Sequence, residues 1–357
     1  MRKAVSIFFI FIGSALLILC SSDRYMKIII AKRSALTGWF GIHHSDAGDL
    51  VSMGYLDDVE RFRENNDYHF TKPEGDSGSR KIDLYIYGDS YLEPIPGYAF
   101  GPINRYHFAR RSYNDLNYSL DPDKKNILVI EYAERFARGE FHNFNIYDHV
   151  KKKPADKVFL WRTDNPIVYA KILGFEIFGH EVNPNLEFNV FGYRFWDRVK
   201  LTKASLTYQL FQRAMGDVVV SDDGDRLFLK QTVIPDDLLS SYKPLDQKEI
   251  LQMIDNINAV YDHYKAEGFD EVYLSLIPNP VTILQPEHYN GLIPQLQKPG
   301  VLKVMQMIDV YGPYTKSPHP GTLYRIGDTH WSNNGVQLWL QAVNAELKKQ
   351  NLHGLTK

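Results

Sequence analysis

The stretch YIYGDSYLEP, residues 85–94, places one hydroxyl directly after a run of strand-forming residues. Gly88 lets the backbone turn sharply, which would leave Ser90 at the carboxyl end of a sheet strand, where α/β proteins bind ligands. A serine there is a candidate nucleophile. The alternative is an ordinary strand end, since Gly, Asp and Ser are common turn residues. A second Gly-Asp-Ser at residues 75–77 follows no apolar run and fits that alternative.

A base for Ser90 is found near the other end of the chain, in GDTHWSNNG, residues 327–335. A nucleophilic serine needs a base that takes its proton and an acid that holds the base in the right tautomer. Asp328 and His330 are two apart, so in an extended segment their side chains point the same way. The alternative is a helix cap with surface Asp and His, because Ser332 and the apolar spacing after it predict a helix.

Strands and helices that alternate along the chain would hold these residues. Continuous apolar runs predict strands buried on both faces, which is typical of parallel sheets. Apolar residues at helical spacing predict a helix over residues 247–268, ending at Gly268 and leading into a strand. We therefore expect an α/β fold, with a mostly parallel sheet flanked by helices. The predicted strands are residues 82–87, the run 127–130 within KNILVIEYAER, and the stretches DEVYLSLIPNP and VLKVMQMIDVY.

The N-terminus has the composition of a targeting segment. Arg2 and Lys3 precede an apolar run from Ala4 to Cys20. Such a run is typical of the core of a signal peptide or of a short membrane anchor. We assign residues 1–22 to this segment and predict an extracytoplasmic protein, periplasmic or at the cell surface, that is exported or anchored to the membrane.

The rest of the chain is predicted to be a lead-in segment, residues 23–81, and one α/β domain, residues 82–357. Within that domain, residues 139–245 hold scattered aromatic residues and mixed patterns, and we interpret them as an insertion covering one end of the sheet. The insertion contains two candidate helices, PIVYAKILGFEIFG and SLTYQLFQRAM, and a hairpin-like stretch, DVVVSDDGDRLFLKQTV, that turns at Asp223-Gly224.

Composition excludes several classes of function. The chain has 357 residues, with 41 Lys and Arg against 43 Asp and Glu, so no general attraction to nucleic acid is expected. The one cysteine permits neither an intramolecular disulfide nor a thiolate metal site. The 23 tyrosines, 20 phenylalanines and 5 tryptophans suit stacking on sugars as well as an aromatic core.

No metal or other cofactor is predicted. GIHHSDAGDL, residues 41–50, combines His43, His44, Asp46 and Asp49. Adjacent histidines point in different directions on any regular element, so we interpret this stretch as a loop. The other histidines show no pair or carboxylate cluster at ligand spacing.

The combination of Gly-Asp-Ser after an N-terminal strand with Asp-x-His near the C-terminus resembles the SGNH (GDSL-like) hydrolase superfamily. Asp-x-His-Trp-Ser narrows the resemblance to the branch related to the alginate O-acetyltransferases and the DHHW proteins. It extends from about residue 48 to the C-terminus and is thin over the insertion. The stretches that carry it are GDL (48–50), YGDSY (87–91), VIEYAER (129–135), LIPNP (276–280), IPQL (293–296) and GDTHWSNNG (327–335).

The resemblance implies a three-layer fold of the SGNH or flavodoxin-like kind and a role for each triad residue. Ser90 is implied as nucleophile, His330 as general base and Asp328 as the group that orients the histidine. An oxyanion hole would include the backbone N–H of Ser90, because the charge that develops on the carbonyl oxygen needs preorganised donors. The serine precedes the Asp-His pair here, whereas the alginate enzymes carry that pair first, which weakens any transfer of substrate identity.

The sequence departs from the superfamily pattern between nucleophile and base, where convincing Gly and Asn blocks are missing. In their place stand Glu131, Arg135 and Asn279 at strand ends, and Trp331 beside the histidine. We take these four as candidate oxyanion or substrate support. Glu131 and Arg135 are four apart and would pair on one helical turn. A structural salt bridge and a turn residue remain the alternative interpretations.

These observations predict a serine-dependent acyl-ester enzyme. The leading prediction is an O-acetyltransferase that acts on an extracytoplasmic polysaccharide through an acetyl-serine intermediate. If water replaces the sugar, the same triad makes a carbohydrate acetylesterase. A non-catalytic exported carbohydrate-binding protein with the same fold is the alternative outside enzymes. The expected partners are the polysaccharide acceptor and a membrane-bound acyltransferase that supplies the acetyl donor, with no nucleic acid.

Overall fold

In a computed structural model the chain forms two compact units. The larger unit comprises Ala47–Gly54, Glu60–Ala155 and Arg213–Lys357, and the smaller comprises Met1–Asp46, Tyr55–Val59 and Asp156–Gln212. The domain boundaries drawn from the sequence stay predictions. The structure describes residues 2–21, 26, 43–64, 67–73, 81–111, 113–143, 146–153, 182–302 and 304–353.

The described elements alternate between strands and helices over much of the larger unit. The strands are β1 (Ile82–Gly88), β2 (Ile103–Arg110), β3 (Leu116–Tyr118), β4 (Lys125–Ala133), β5 (Val150–Lys152), β6 (Val218–Val220), β7 (Leu227–Leu229), β8 (Glu271–Ile277) and β9 (Gln306–Ile308). The helices are α1 (Arg2–Cys20), α2 (Asp49–Gly54), α3 (Glu134–Asn143), α4 (Ile146–His149), α5 (Val182–Phe191), α6 (Asp197–Phe211), α7 (Gln247–Ala266), α8 (Pro280–Leu284), α9 (Leu292–Leu296), α10 (Tyr311–Thr315) and α11 (Asn333–His353).

A parallel sheet forms the centre of the larger unit, with five described strands in the order β2-β1-β4-β8-β9. All four predicted strands lie in it. Strand β2 was missed because its sequence, INRYHFAR, is an edge strand that is buried along only part of its length and so lacks an apolar run. The predicted α/β fold with a mostly parallel sheet is confirmed.

Apolar side chains cover both faces of the sheet. Along β1, Ile82, Leu84 and Ile86 pack with Trp339 and Val343 of α11 on one face. On the other face, tyrosines of β1 join Met253, Ile257 and Val260 of α7. Burial on both faces explains why these strands carry continuous apolar runs rather than alternating ones. The result is three layers, with helix, sheet and helix stacked on one another.

The two predicted helices flanking this sheet are confirmed with their caps. Asp246 accepts a hydrogen bond from the Lys248 N–H at 2.8 Å at the start of α7. That helix ends just before Gly268, whose φ of +104° is a conformation that favours glycine. At the start of α11, the Ser332 Oγ accepts from the Asn334 N–H at 3.1 Å.

The region predicted as an insertion has mixed structure. The hairpin turning at Asp223-Gly224 is confirmed, since β6 and β7 pair antiparallel and Gly224 has a φ of +74°. The Leu227 N–H donates to Ile326 O at 3.0 Å, which places the hairpin beside the segment that leads to Asp328. SLTYQLFQRAM overlaps α6, whereas PIVYAKILGFEIFG lies outside the described residues.

In the smaller unit, α1 runs through the apolar N-terminal segment, and Asn185 of α5 donates to Cys20 O at 2.8 Å. His43 lies between Asp57 and Asp197, at 2.9 and 3.1 Å from its two ring nitrogens. Burial acts to lower the pKa of His43, but these carboxylates outweigh it and raise that pKa. Within the part of the chain that the structure covers, no helix combines the length and the apolar character needed to cross a membrane.

We predict that Gly88→Ala destabilises the fold around the end of β1. A Cβ at this position would lie 2.6 Å from Glu131 Oε2 and 2.8 Å from Leu92 Cδ1. Overpacking of this kind costs about 1–3 kcal/mol. Urea unfolding measures the loss, with Gly139→Ala as a matched control. At Gly139 of α3 the nearest atom to an added Cβ is 3.8 Å away, and alanine there should be neutral or stabilising. Equal stability of the two variants would contradict the prediction.

Candidate active site

Ser90 lies in the turn that follows β1, at the carboxyl edge of the parallel sheet. Gly88 is required there because the Glu131 carboxylate occupies the space of a side chain. Glu131 Oε2 then accepts the Asp89 N–H at 2.8 Å. The close approach of β1 to β4 therefore sets the direction in which the chain leaves the strand.

Asp89 holds the turn through both oxygens of its buried carboxylate. Its Oδ1 accepts the Tyr91 N–H and its Oδ2 accepts the Ala133 N–H, each at 2.9 Å. The first bond closes the turn around Ser90, and the second ties the turn to the end of β4. Each residue of Gly-Asp-Ser thus has a separate role, and the serine hydroxyl is left to face the histidine.

Ser90, His330 and Asp328 form a continuous hydrogen-bonded chain. Ser90 Oγ lies 2.8 Å from His330 Nε2, and His330 Nδ1 lies 2.6 Å from Asp328 Oδ1. Asp328 Oδ1 also accepts the His330 N–H at 2.8 Å. With the ring proton assigned to Nδ1, Nε2 is free to accept the serine proton, as acyl transfer requires. The fold therefore brings together three residues that are up to 240 positions apart.

Asp328, the acid of this hydrogen-bonded series, is stabilised in its charged carboxylate form. Burial of Asp328 favours its neutral form, but the hydrogen bond and charge of His330 outweigh burial and lower the Asp328 pKa to about 2. Only 22 % of the His330 side chain is exposed, and Ser90 is half-buried, so a substrate could reach both. A buried carboxylate beneath a partly exposed histidine is suited to holding the imidazolium that forms in acyl transfer.

One donor that could bind an oxyanion is available at Ser90, the candidate nucleophile. The backbone N–H of Ser90 has no acceptor among the described residues. Its neighbour on the chain, the Tyr91 N–H, is already bonded to Asp89. The Ser90 amide is therefore in position to bind negative charge that develops on an attacked carbonyl.

The predicted pairing of Glu131 with Arg135 is wrong. Glu131 lies in β4 and faces Asp89, whereas Arg135 lies in α3, so the two do not share a helix face. Burial, followed by the charge of Asp89, raises the pKa of Glu131 well above its usual value. Glu131 therefore supports the turn from inside the protein.

Arg135 is a buried cation next to the site. It is 8 % exposed, and its guanidinium carbon lies 5.5 Å from the centre of the Tyr91 ring and 4.9 Å from that of Phe136. The one hydrogen bond of its guanidinium within the described residues, to the Tyr91 hydroxyl, is long at 3.5 Å. No carboxylate of the described residues forms a salt bridge with it, but the charges of Asp89 and Asp49 act on it and help to raise its pKa. The Tyr91 ring in turn lies 4.8 Å from the His330 ring.

Asn279 and Trp331 are placed in the interior instead. Asn279 is fully buried, and its amide donates to Ser241 Oγ at 2.9 Å rather than to Ser90. Trp331 is fully buried too and packs against Tyr91 and Trp339, with ring centres 5.2 and 5.7 Å apart. Both residues support the elements around the site, and neither side chain is exposed to a substrate.

Asp49, which the sequence predicts to lie in a loop, begins α2 and is a further residue of the site. Its Oδ1 accepts the Thr329 N–H at 2.7 Å, and its Oδ2 lies 3.7 Å from His330 Nδ1. The stretch GDL belongs to the family resemblance, but nothing in its composition marks this aspartate as a neighbour of a histidine 281 positions later. Only the fold reveals the contact.

Asp49, Asp328 and His330 are also the described residues whose ligand atoms cluster as a cation site would require, within 4.8 Å of one another. The separation of 2.6 Å between His330 Nδ1 and Asp328 Oδ1 is that of a hydrogen bond. Two ligands of one metal ion, each about 2.0–2.2 Å from it, lie further apart than this. The arrangement therefore fits a shared proton.

We predict that Asp328→Asn lowers stability in a pH-dependent way. Asp328 has a folded pKa of about 2 against an ordinary 3.8, so its charge stabilises the fold above pH 4 and this contribution is lost as the pH falls toward 2. The variant should lose about 2 kcal/mol at pH 5 and progressively less at pH 4 and 3. Urea unfolding at each pH measures this. Asp123→Asn, at an exposed position, should change little at any pH. A deficit independent of pH would contradict the assignment.

Comparison of the chain with protein-family models, with curated proteins and with solved structures found no match. The assignment to a family therefore rests on the motifs and remains a proposal.

Proposed function

We propose that this chain is a serine-dependent acyl-ester enzyme of the SGNH superfamily, in the branch related to the alginate O-acetyltransferases and DHHW proteins. The observation that carries the proposal is the chain of hydrogen bonds from Ser90 Oγ through the His330 ring to Asp328 Oδ1, of 2.8 and 2.6 Å. A hydroxyl, an imidazole and a buried carboxylate in this order form a nucleophile, its base and the group that orients the base.

The proposed reaction begins when Ser90 Oγ attacks the carbonyl carbon of an acetyl ester. The serine proton passes to His330 Nε2, and the negative charge on the carbonyl oxygen is met by the Ser90 N–H. Breakdown of the tetrahedral intermediate transfers the proton from Nε2 to the departing oxygen and leaves acetyl-serine. A sugar hydroxyl then gives its proton to Nε2 and attacks the acetyl carbonyl carbon, and as the bond to Ser90 breaks the proton passes from Nε2 to Ser90 Oγ, which regenerates the site and releases the acetylated sugar.

Arg135 is proposed to add positive charge to this reaction. Charges interact more strongly in a site from which water is excluded, and Arg135 is buried with no salt bridge to a carboxylate of the described residues, while the charges of Asp89 and Asp49 act on it from further away. A cation in that state favours an incoming negative group, either the oxyanion or an anionic part of the substrate. Its contact with the Tyr91 hydroxyl, on the residue after the nucleophile, supports this role.

Transfer to a sugar is favoured over hydrolysis by the family resemblance and by the N-terminal segment. The basic pair and apolar run of residues 2–20 support export or membrane attachment, so we place the reaction outside the cytoplasm. The acceptor would be an extracytoplasmic polysaccharide, and a membrane-bound acyltransferase would supply the acetyl group. If water is the better acceptor, the enzyme is a carbohydrate acetylesterase.

We predict that the purified full-length protein releases nitrophenol from p-nitrophenyl acetate and carries an acetyl adduct detectable by intact mass. Ser90→Ala should abolish both signals, because it removes the nucleophile, and His330→Ala should abolish the adduct at neutral pH, because it removes the base. Adding candidate oligosaccharides should speed loss of the adduct and give an acetylated sugar if the enzyme is a transferase.

Ser77→Ala is the matched control, since it alters the second Gly-Asp-Ser of the chain. This variant should react like the wild type. Absence of an adduct in folded wild-type protein, or an adduct that survives Ser90→Ala, would contradict the proposed chemistry.

We predict that Arg135→Ala slows formation of the acyl adduct by about 100-fold, as loss of an oxyanion-binding group does. Arg135→Lys should recover part of the rate, because it restores the charge without the planar fork. Arg110→Ala, which removes a cation at the end of β2 that is paired with Glu93 at 2.7 Å, should stay within about twofold of the wild type. Stopped-flow measurement of the nitrophenol burst tests all three. Equal effects of Arg135→Ala and Arg110→Ala would contradict a specific role for Arg135.

A further inference from the structure

We propose that Asp49 is a positioning residue for this site, which holds the turn carrying Asp328 and His330 and places a second negative charge beside the histidine ring. The inference deepens the proposed function and rests on it only for the reaction that the histidine serves. The contacts, the backbone geometry and the charges of the described residues each support it.

The contacts show that Asp49 holds the residues on either side of Thr329. The Asp49 carboxylate accepts hydrogen bonds from the Thr329 N–H, at 2.7 Å, and from the Thr329 hydroxyl. The backbone N–H of Asp49 donates to Asp328 Oδ2 at 3.1 Å. That oxygen is the one that His330 leaves free, because the histidine bonds to Oδ1. Asp49 therefore fixes both the Asp328 carboxylate and the peptide between the acid and the base.

The backbone geometry fixes the position of Asp49 relative to the segment that contains Gly327. Gly48 has a φ of +141°, and a Cβ there would collide with the Gly327 carbonyl. A Cβ on Gly327 would lie 2.5 Å from Val51 Cγ2, and the Val51 N–H donates to Gly327 O at 3.1 Å. The two segments thus approach as closely as two glycines allow. The backbone around Asp49, at the start of α2, therefore fixes its position beside the turn that carries Asp328 and His330.

The charges around the histidine give Asp49 an electrostatic effect as well. Asp49 Oδ2 lies 3.7 Å from His330 Nδ1, and Asp328 Oδ1 lies 2.6 Å from the same atom. Among the described residues, two cations also act on this pair: Arg325, whose Nη1 is 3.9 Å from Asp328 Oδ2, and the buried Arg135, which interacts electrostatically with Asp49. From the β1 turn, the neutral Ser90 hydroxyl and Tyr91 ring face the imidazole. The two carboxylates lie closer to the ring than either cation is shown to, so their charge favours the imidazolium that forms when the serine proton is taken.

Burial, and then the charge of Asp328, raises the pKa of Asp49. The two carboxylates therefore differ in acidity, with Asp328 the stronger acid. This difference suits separate roles. Asp328 accepts the hydrogen bond from the His330 ring, and Asp49 holds the Asp328 carboxylate in place through its backbone N–H. Two carboxylates therefore lie beside the His330 ring, whereas a Ser-His-Asp triad contains one.

The test measures the titration of the His330 ring by NMR in full-length protein with labelled histidine, assigned from the signal that disappears in His330→Gln. Asp49→Asn and Asp49→Ser remove the charge and keep an acceptor for Thr329. Either should move the titration midpoint of His330 to lower pH by about 0.5–1 unit, because loss of a nearby negative charge disfavours the imidazolium. The pH profile of acyl-serine formation should move in the same direction.

Two controls separate charge from structure. Asp49→Glu retains the charge and should leave the midpoint near that of the wild type. Asp46→Asn removes a fully exposed carboxylate three positions away in the sequence and should leave it unchanged. A midpoint that is the same in wild type and in the folded neutral variants overturns the role of Asp49, even if acyl-serine forms. A shifted midpoint in a protein that forms no acyl-serine supports the role of Asp49 and contradicts the proposed function.

Discussion

The site depends most on two hydrogen bonds that the Asp89 carboxylate accepts, from the Tyr91 N–H and from the Ala133 N–H. This carboxylate joins the ends of two adjacent parallel strands and closes the turn that carries Ser90. Gly88 permits this, because the Glu131 carboxylate fills the space beside it. A serine at the end of a strand is thereby held in one orientation by bonds that are buried, where an unmade hydrogen bond is costly.

The second half of the site is held with equal rigidity from a different part of the chain. The segment from Gly48 to Val51 is bonded to Gly327 and Thr329, and aromatic packing of Trp331 on Tyr91 supports the histidine from the core. The Tyr91 hydroxyl donates to the Thr329 carbonyl, so the residue that follows Ser90 is bonded to the residue that precedes His330. Serine and histidine are therefore positioned by a shared framework, which is the preorganisation that the proposed catalysis needs.

Most of the strands and helices that carry the site could be predicted from the sequence. Particular residues show where the prediction failed. Strands buried on both faces can be predicted from their continuous apolar runs, whereas β2, an edge strand, has no such run. Glu131 and Arg135 have helical spacing but lie in a strand and a helix. Asn279 and Trp331 have side chains that could serve a site, yet both are buried, and burial depends on distant packing partners. Local pattern determines the type of an element more reliably than the direction of a side chain.

The sequence by itself determined the α/β class, the elements that carry Ser90, Asp328 and His330, and the chemistry these side chains could perform, because periodicity and residue type are local properties. Only the tertiary structure decided that Ser90 and His330 meet at 2.8 Å and that Asp49 stands beside them. It also separated Asn279 from the site and left Arg135 buried beside Tyr91. Contacts between residues more than two hundred positions apart depend on how strands order in the sheet and how loops cross its edge, and no local pattern encodes that order.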